Sequence, residues 1–586
     1  MSSKISFKSK FFLSLRNWLS LFVPLAMLST VPVITSFVNN RYQVSVQDLV
    51  LPIILSLITA AFVTAVFLPF WVKNKLATYL SATLVILTLT GDYQERLSAI
   101  YPIIKAFIPI TGLQDFESPV FGLIFSFLIF ILFYFIGRKA TNFFTQMRWN
   151  HRDISIFITI TITFTFLFQF FPLAKNLYSE WPQFFYHPQK LESPTTKFGN
   201  KPDIFYIVLD RYANQDVLEN QFNFDNRDFI QFLENHNYFT NPSSYTAYPY
   251  TTMSIASTLK ADYLTDLIQK FGNSSAQTIF PYHLTIRNAP VIETLKSFGY
   301  EYTLIGNWYE SSNLSKLADQ TYQQTGRLTL LNRTFTLDSF PKNELGKSLY
   351  SSLVRLNMKI GSFSVLNFQD PARIDLTAYQ LKTLRNLAKK PAGGRFIFAH
   401  LLIPHDPYFY NSDGSFNSNP SSDNVGKPIK EKYIQNLEYI NSQMKEILTE
   451  IDKTSKGKSV VILQADEGPY PLQLNHEIFN WRQTEGELAN QSMLAWSEAD
   501  LKMKFSNLAA YHIPGANISD LKNYGDPVNI FRLVFNTYFN YNFKNLPKCY
   551  YAYPNGRNQP FVFTDITKRL TGQTDSKCSD PANPGV

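Results

Sequence analysis

Long apolar runs dominate the first 175 residues of this 586-residue chain. They lie near residues 19–37, 49–72, 76–90, 120–137 and 154–174, and most approach the ~20 residues that a helix needs to cross a bilayer. The sequence therefore predicts a bundle of about five transmembrane helices, of which the third is the shortest.

Basic residues between the apolar runs predict the orientation of the bundle. They precede the first run, follow the second and separate the fourth from the fifth: Lys4, Lys8, Lys10, Arg16, Lys73, Lys75, Arg138, Lys139, Arg148 and Arg152. By the positive-inside bias, the amino terminus is cytoplasmic and everything after about residue 175 lies outside. These segments account for the net charge of +9, which is therefore no sign of nucleic-acid binding. We expect a multi-pass protein of the plasma (inner) membrane with an extracytoplasmic domain.

Composition divides the chain into four regions. Residues 1–175 form the transmembrane region, 176–200 a juxtamembrane linker with prolines and aromatic residues, and 201–572 the outer domain. The tail, 573–586, is rich in Asp, Ser, Pro and Gly and is predicted to be disordered. The only two cysteines are Cys549 and Cys578, which could pair in an oxidising compartment or remain two free thiols on a loose tail.

Two strand-like runs of the outer domain each stop at a carboxylate. Residues 204–210 (IFYIVLD) end at Asp210, and residues 460–467 (VVILQADE) end at Asp466 and Glu467. Apolar runs without alternation are typical of strands buried on both faces of a parallel sheet. Further strands alternate with helices, of which 430–453 is the clearest, so the sequence predicts a doubly wound α/β domain. The carboxylates would lie at the sheet edge where such folds bind ligands, as oxygen ligands for a divalent metal.

Two other segments offer candidate catalytic side chains. Thr251 or Thr252 opens a helix, where a hydroxyl is by default an N-cap but is also favourably placed to meet an oxyanion or a phosphoryl group. His400 and His405 stand at and beyond the end of a predicted strand. They could bind phosphate oxygens or protonate a leaving group, although a lone histidine is more often structural.

Together these motifs resemble the alkaline phosphatase superfamily, in its sulfatase-like and lipoteichoic acid synthase-like branch. The similar segments are PDIFYIVLD (202–210), TTMSIAS (251–257), FAHLLIPH (398–405) and ADEG (465–468). The resemblance implies an outer domain of alkaline phosphatase/sulfatase type. It implies Asp210 and Asp466 as metal ligands, Thr251 as the nucleophile, and His400 and His405 as substrate contacts. With Thr251 as a metal-bound alkoxide and Glu467 beside Asp466, the expected metal ligands are Asp210, Thr251, Asp466 and Glu467. Thr251 is preferred because it stands three residues before Ser254, as in the T-x-x-S pattern of such relatives.

Two departures from the family pattern affect the expected chemistry. The usual Asp-His-Gly is Asp466-Glu467-Gly468 here. All-oxygen ligation would favour Mn²⁺, Mg²⁺ or Ca²⁺ over Zn²⁺, and three carboxylates around one such cation would leave a net charge of about −1. No C-x-P-x-R or S-x-P-x-R segment lies near Thr251, which argues against a formylglycine sulfatase.

The sequence thus predicts a membrane-anchored, metal-dependent phosphoryl-group transferase or phosphodiesterase, such as a phosphoglycerol transferase. Its partners would be the lipid bilayer, a lipid head-group donor and a glycan or water acceptor, with no nucleic acid. The alternative is a catalytically degenerate envelope scaffold or glycan-binding protein, which the departure at Glu467 supports. A transporter is poorly supported, because the predicted spans hold no Asp, Glu, Lys or Arg at mid-membrane depth.

Overall fold

The structure is a computed structural model that divides into two compact units. It describes residues 7–40, 44, 46–71, 73–107, 119–191, 201–272, 278–323, 327–337, 339–354, 358–360, 362–369, 373–390, 393–416, 429–471, 491–556, 559–573 and 576–582. The membrane unit, as we call it, comprises Met1–Phe184 and Thr325–Asp370. The sheet unit comprises Phe185–Gln324 and Pro371–Val586.

The described helices and strands are given in chain order. The helices are α1 (Phe7–Asn40), α2 (Val50–Trp71), α3 (Lys75–Leu89), α4 (Tyr93–Phe107), α5 (Pro119–Gln146), α6 (His151–Phe184), α7 (Gln215–Asn220), α8 (Arg227–Asn235), α9 (Thr251–Lys260), α10 (Thr265–Phe271), α11 (Phe280–Arg287), α12 (Pro290–Ser297), α13 (Glu310–Asn313), α14 (Ser339–Lys347), α15 (Tyr350–Val354), α16 (Arg373–Ala388), α17 (Ile429–Ser455), α18 (Glu498–Phe505), α19 (Ile518–Tyr524), α20 (Ile530–Phe539) and α21 (Thr567–Thr571). The strands are β1 (Ile204–Leu209), β2 (Phe239–Thr240), β3 (Glu301–Ile305), β4 (Gln320–Tyr322), β5 (Arg327–Leu330), β6 (Arg333–Thr336), β7 (Met358–Ile360), β8 (Phe363–Gln369), β9 (Arg395–Leu401), β10 (Val460–Gln464), β11 (Ala509–His512), β12 (Tyr551–Ala552) and β13 (Thr564–Asp565).

Within the described residues of the membrane unit, four segments are helical, long and apolar enough to cross a bilayer. They are Leu15–Asn40, Val46–Trp71, Phe121–Gln146 and His151–Tyr178. The third predicted span is the shorter apolar helix α3, which has only 15 residues. The predicted bundle of about five helices is therefore present as four long helices and one short one.

Residues 325–370 form an insert that packs with the membrane helices. The insert contains α14, α15 and a four-stranded antiparallel sheet in the order β6-β5-β8-β7. The Tyr350 hydroxyl donates a 2.9 Å hydrogen bond to the carbonyl of Leu55 in α2, and Ser36 in α1 donates one of 2.7 Å to Glu344. The outer domain predicted from the sequence, 201–572, includes these residues. That boundary is corrected here, because strands of three to seven residues carry no pattern that shows which unit they pack against.

A seven-stranded mixed sheet forms the centre of the sheet unit, in the order β2-β11-β10-β1-β9-β3-β4. The five strands from β10 to β4 are parallel to one another. At the other edge, β11 is antiparallel to β10, and β2 is antiparallel to β11. Strand β1 lies between β9 and β10 and is buried along its whole length. This is the position that its unbroken apolar sequence predicts.

The strand register brings the predicted site residues to one edge of the sheet. Val208 of β1 is level with His400 of β9 on one side and with Gln464 of β10 on the other. Asp210 and Asp466 each lie two residues beyond this row. Because side chains alternate along a strand, His400 and Asp210 project from the same face of the sheet.

Helices cover both faces of the sheet, which confirms the predicted doubly wound α/β fold. On one face, the apolar stripe of α17 at Leu437, Ile440 and Ile447 is buried, as its helical spacing predicts. On the other face, Tyr206 of β1 stacks on Phe398 of β9, and the edge of its ring meets Phe531 of α20.

The two regions that flank the outer domain are more ordered than the sequence indicates. Helix α6 continues to Phe184, so the first part of the predicted linker is helical. Cys549 and Cys578 form a disulfide, the first of the two possibilities considered above. Because Ser576–Cys578 forms a short 3-10 helix at this disulfide, part of the tail predicted to be disordered has a defined structure.

Candidate active site

Three buried side chains converge at the carboxyl edge of the central strands. One ligand atom each from Asp210, His400 and Asp466 lies within 4.8 Å of the other two, and His400 Nε2 is 3.3 Å from Asp210 Oδ2. Asp210 Oδ1 is buried and accepts no hydrogen bond from any residue that the structure describes. A buried carboxylate oxygen without a partner is costly unless a cation or a donor meets it. We call these three residues the acid–histidine cluster, and their atoms fit a divalent metal.

The electrostatics of the cluster also favour a cation. Burial raises the pKa of Asp466, and the carboxylates of Asp210 and Glu467 raise it further, to about 7. Burial alone would also raise the pKa of Asp210, but His405 and His400 outweigh that effect and bring it down to about 2. Two carboxylates this close cannot both ionise easily on their own. A divalent cation between them would remove that conflict.

A chain of hydrogen bonds orients the His400 ring. Its Nδ1 lies 2.8 Å from Ser312 Oγ, and the Ser312 hydroxyl donates to Asn307 Oδ1 at 3.2 Å. The Asn307 amide nitrogen donates to the His400 carbonyl at 2.8 Å, which fixes the amide orientation. When the Ser312 hydroxyl donates to Asn307, its oxygen accepts a hydrogen bond from Nδ1–H of His400. The other nitrogen, Nε2, then has a free lone pair towards Asp210, as a metal ligand requires.

We predict that Ser312→Ala lowers the affinity of the site for a divalent metal by about 10–100-fold, because the ring loses the partner that fixes its orientation and tautomer. Titration calorimetry of the full-length protein with Mn²⁺ or Zn²⁺ measures this. Ser312→Thr keeps the hydroxyl and should bind nearly as well as the parent protein. Equal affinities for the alanine variant and the parent would show that His400 needs no such support.

Thr251 faces the acid–histidine cluster, whereas Thr252 does not. Thr251 is the first residue of α9, Tyr250 is its N-cap, and no side-chain hydrogen bond caps this helix end. The Thr251 side chain instead lies close enough to Asp466 to counteract part of the rise in the pKa of that carboxyl. The Thr252 hydroxyl lies 2.6 Å from that of Tyr309. The structure therefore places the hydroxyl preferred from the sequence beside Asp466.

Glu467 lies outside the acid–histidine cluster, in contrast to its expected place among the metal ligands. Its Oε1 is 2.8 Å from Lys504 Nζ and 3.7 Å from Arg211 Nε, and Arg211 also pairs with Asp406 at 2.8 Å. The Lys504 side chain is 0% exposed. Two carboxylates, Asp210 and Asp466, thus face the candidate metal position. The third carboxylate, Glu467, is neutralised by Lys504, so it does not add the expected net charge of −1 at the metal. No motif around Lys504 indicates this role in the sequence.

Gly468 allows the approach that brings Lys504 to Glu467. A Cβ atom at Gly468 would lie 1.9 Å from the carbonyl oxygen of Met503, the residue before Lys504. The Gly468 N–H donates to the Lys504 carbonyl at 3.0 Å. Close packing against α18 therefore requires a glycine at position 468. Its place after β10 also suits the turn at the sheet edge.

His405 lies at the rim of the site. Its side chain is 16% exposed, and its Nδ1 donates to the carbonyl oxygen of Asp406. The ring contacts Trp308 edge-on, with 6.4 Å between centroids. His405 also helps to lower the pKa of Asp210, so it is close to the cluster. A rim position of this kind suits contact with a substrate better than metal ligation.

The donor set changes the expectation about the metal. Two carboxylates and one imidazole nitrogen form a mixed set, in place of the oxygen ligands alone that the sequence predicts. Imidazole suits Zn²⁺ as well as Mn²⁺, and carboxylates suit Mg²⁺ and Mn²⁺. This donor set therefore gives no reason to disfavour Zn²⁺.

The sulfatase family model matches residues 202–513, which is more than half of the chain and includes every residue of the cluster. The chain belongs to the sulfatase family. This agrees with the alkaline phosphatase superfamily motifs recognised in the sequence. No curated protein matches this sulfatase-family chain in sequence.

Solved structures similar to this sulfatase-family chain include three envelope proteins. The periplasmic domain of EptC from Escherichia coli, in complex with Zn, has a TM-score of 0.39 at 12% identity and covers 66% of this chain and 100% of its own. The lipooligosaccharide phosphoethanolamine transferase EptA from Neisseria meningitidis, an integral membrane protein, has a TM-score of 0.29 at 11% identity, covering 78% and 82%. The periplasmic domain of the phosphoethanolamine transferase EptC from Campylobacter jejuni has a TM-score of 0.33 at 11% identity, covering 58% and 89%.

Proposed function

We propose that this sulfatase-family protein is a membrane-anchored, metal-dependent phosphoryl-group transferase or phosphodiesterase, with Thr251 as its nucleophile. One observation carries the proposal most directly. A threonine hydroxyl at the start of a helix interacts with Asp466 of a buried cluster that also contains Asp210 and His400. A nucleophilic hydroxyl needs such an adjacent base or metal, and the helix start favours the anionic group that it would attack.

The reaction follows from the position of each side chain. Thr251 Oγ attacks the phosphorus of a phosphodiester and passes its proton to Asp466. The bond from phosphorus to the leaving alcohol breaks, and His405 at the rim protonates that alcohol. In the second half, a sugar hydroxyl or water gives a proton to His405 and attacks the phosphothreonine. The bond from phosphorus to Thr251 Oγ then breaks, and Asp466 returns its proton to that oxygen, which restores Thr251. A divalent cation held by Asp210, His400 and Asp466 would supply Lewis-acid stabilisation of the charge on the phosphoryl oxygens.

Two features favour a phosphoester over a sulfate ester. Position 251 is a threonine outside any C-x-P-x-R or S-x-P-x-R segment, so it cannot be the aldehyde precursor that sulfatases use. The membrane unit also anchors the chain in a bilayer, where phospholipid head groups are abundant donors. We propose an outer-face site that takes a lipid head group or an envelope glycan phosphoester as substrate.

We expect the purified full-length protein to hydrolyse bis(p-nitrophenyl) phosphate, to lose that activity with a chelator, and to regain it on addition of Mn²⁺ or Zn²⁺. Nitrophenyl sulfate serves as the matched control and should not be turned over. If the protein binds metal but hydrolyses neither ester and transfers no head group from phospholipid vesicles, the alternative of a non-catalytic envelope scaffold or glycan-binding protein is favoured. Hydrolysis of the sulfate alone would contradict the proposed substrate class.

A further inference from the structure

Five large apolar side chains are exposed at one end of the small sheet in the insert. They are Leu330 (45%), Leu331 (58%), Met358 (41%), Ile360 (74%) and Phe363 (41%), and we call them the sheet-end patch. Strand β5 ends beside the turn at Leu331, and Ile360 pairs with Phe363 across the other turn. The Leu331 N–H donates to the carbonyl of Val365 at 3.0 Å, which places the two turns at the same end of the sheet.

The turn itself presents an apolar side chain at a cost. Leu331 has a φ of 48° and Asn332 a φ of 61°, so both central residues of the turn are left-handed. Glycine or asparagine adopts this conformation readily, whereas leucine does so with strain. Clustered apolar exposure of this kind marks contact with a membrane or another protein. A leucine at this strained and exposed position is best explained if its side chain makes such a contact.

The position of the insert identifies a bilayer as that contact. Leu328, three residues before Leu331, packs in one apolar cluster with Leu51 and Leu55 of α2. Both lie near the start of the candidate span Val46–Trp71. At about 3.3 Å per strand residue, Leu331 is within about 10 Å of Leu328, a member of this cluster. A bilayer around this span would therefore be the apolar environment nearest to the sheet-end patch.

The charges of the same sheet fit anionic lipid head groups. Strands β5, β6, β7 and β8 contain Arg327, Arg333 and Lys359 and no aspartate or glutamate. Arg333 and Lys359 are exposed. Basic residues beside an apolar surface are typical of segments that bind the interface of an anionic membrane.

We propose that the sheet-end patch inserts into the lipid leaflet around this end of the bundle, and that Arg333 and Lys359 bind anionic phospholipid head groups. The charge pattern of the spans assigns this end to the outer face. The proposal does not depend on the catalytic role of Thr251, since it concerns the membrane unit alone.

The test places a fluorescent label on the patch in the full-length protein. Ile360→Cys is labelled with an NBD maleimide, and the two native cysteines do not compete because they form the disulfide. The protein is reconstituted in phosphatidylcholine vesicles with or without phosphatidylglycerol. Ile518→Cys, at an isoleucine that is 61% exposed in the sheet unit, is the matched control.

We expect doxyl-labelled lipid to quench most of the emission at position 360, and iodide to quench little of it. The label at position 518 should show the reverse. Adding Arg333→Glu and Lys359→Glu should increase iodide quenching at position 360 in vesicles that contain phosphatidylglycerol and leave it unchanged in phosphatidylcholine alone.

Either of two results would overturn the proposal. Iodide accessibility at position 360 equal to that at 518 would show that the patch faces water. Protection from iodide without doxyl quenching, together with energy transfer between differently labelled molecules, would show that a second copy of the chain covers the patch.

Discussion

Replacement of Thr251 by alanine is expected to reduce phosphodiester turnover by roughly 10⁴-fold or more, because loss of a nucleophile removes the entire covalent route. Thr251 is 8% exposed, and the change removes only a hydroxyl and a methyl group. The sheet unit should keep its fold, which circular dichroism and thermal unfolding of the purified variant would show. Initial rates with the nitrophenyl phosphodiester measure the loss.

Two matched variants make this prediction specific. Thr251→Ser keeps a hydroxyl at the same backbone position and should retain part of the activity. Thr252→Ala makes the same truncation one residue later, where the hydroxyl contacts Tyr309 at 2.6 Å and not Asp466. It should lower the rate by less than about tenfold. A Thr251→Ala variant as active as Thr252→Ala would rule out Thr251 as the nucleophile.

The second large expected effect is on metal affinity, and it should distinguish Asp466 from its neighbour Glu467. Asp466→Asn should lower metal affinity by about 100-fold or more, because it removes a carboxylate of the acid–histidine cluster. Glu467→Gln should change that affinity by less than about tenfold, because Glu467 pairs with Lys504 at 2.8 Å and lies outside the cluster. Titration calorimetry with Mn²⁺ and Zn²⁺ compares the two. Equal losses for both variants would return Glu467 to the set of metal ligands.

Glu467→Gln should have a small effect on metal affinity but a large effect on the free energy of unfolding. Glu467→Gln removes the negative charge that faces the fully buried Lys504, and disruption of a buried ion pair costs about 3–5 kcal/mol of unfolding free energy. Combining it with Lys504→Met should recover much of that loss, since both charges are then gone. Denaturant unfolding of the purified protein measures this. A double variant less stable than Glu467→Gln alone would argue against the pair.

Much of the sheet unit follows from its sequence. The apolar runs that end at Asp210 and Asp466 predict adjacent buried strands, and parallel neighbours necessarily bring their carboxyl ends to one edge. The apolar residues of α17 recur at helical spacing, which identifies the face of the helix that is buried. In each case the signal is local and repeated over several residues. The fold class could therefore be predicted.

The roles of Glu467 and the insert could not be predicted in the same way. The partner of Glu467 is a lysine 37 positions later, in a helix whose sequence resembles any other charged helix, and only packing at Gly468 brings the two together. Ser312 and Asn307 orient His400 from a loop and a short helix far from it in sequence. Such contacts depend on tertiary structure and leave no periodic pattern.

The central claim is that Thr251 forms a covalent intermediate, and peptide mass tests it most directly. The metal-loaded protein is incubated briefly with phosphatidylglycerol or phosphatidylethanolamine vesicles and quenched with acid. The mass of the peptide that contains Thr251 is then measured. We predict a covalent phosphate-containing adduct on Thr251 that disappears when an acceptor alcohol is added. Turnover of the lipid without any adduct at position 251, or with the adduct on another residue, would contradict the mechanism.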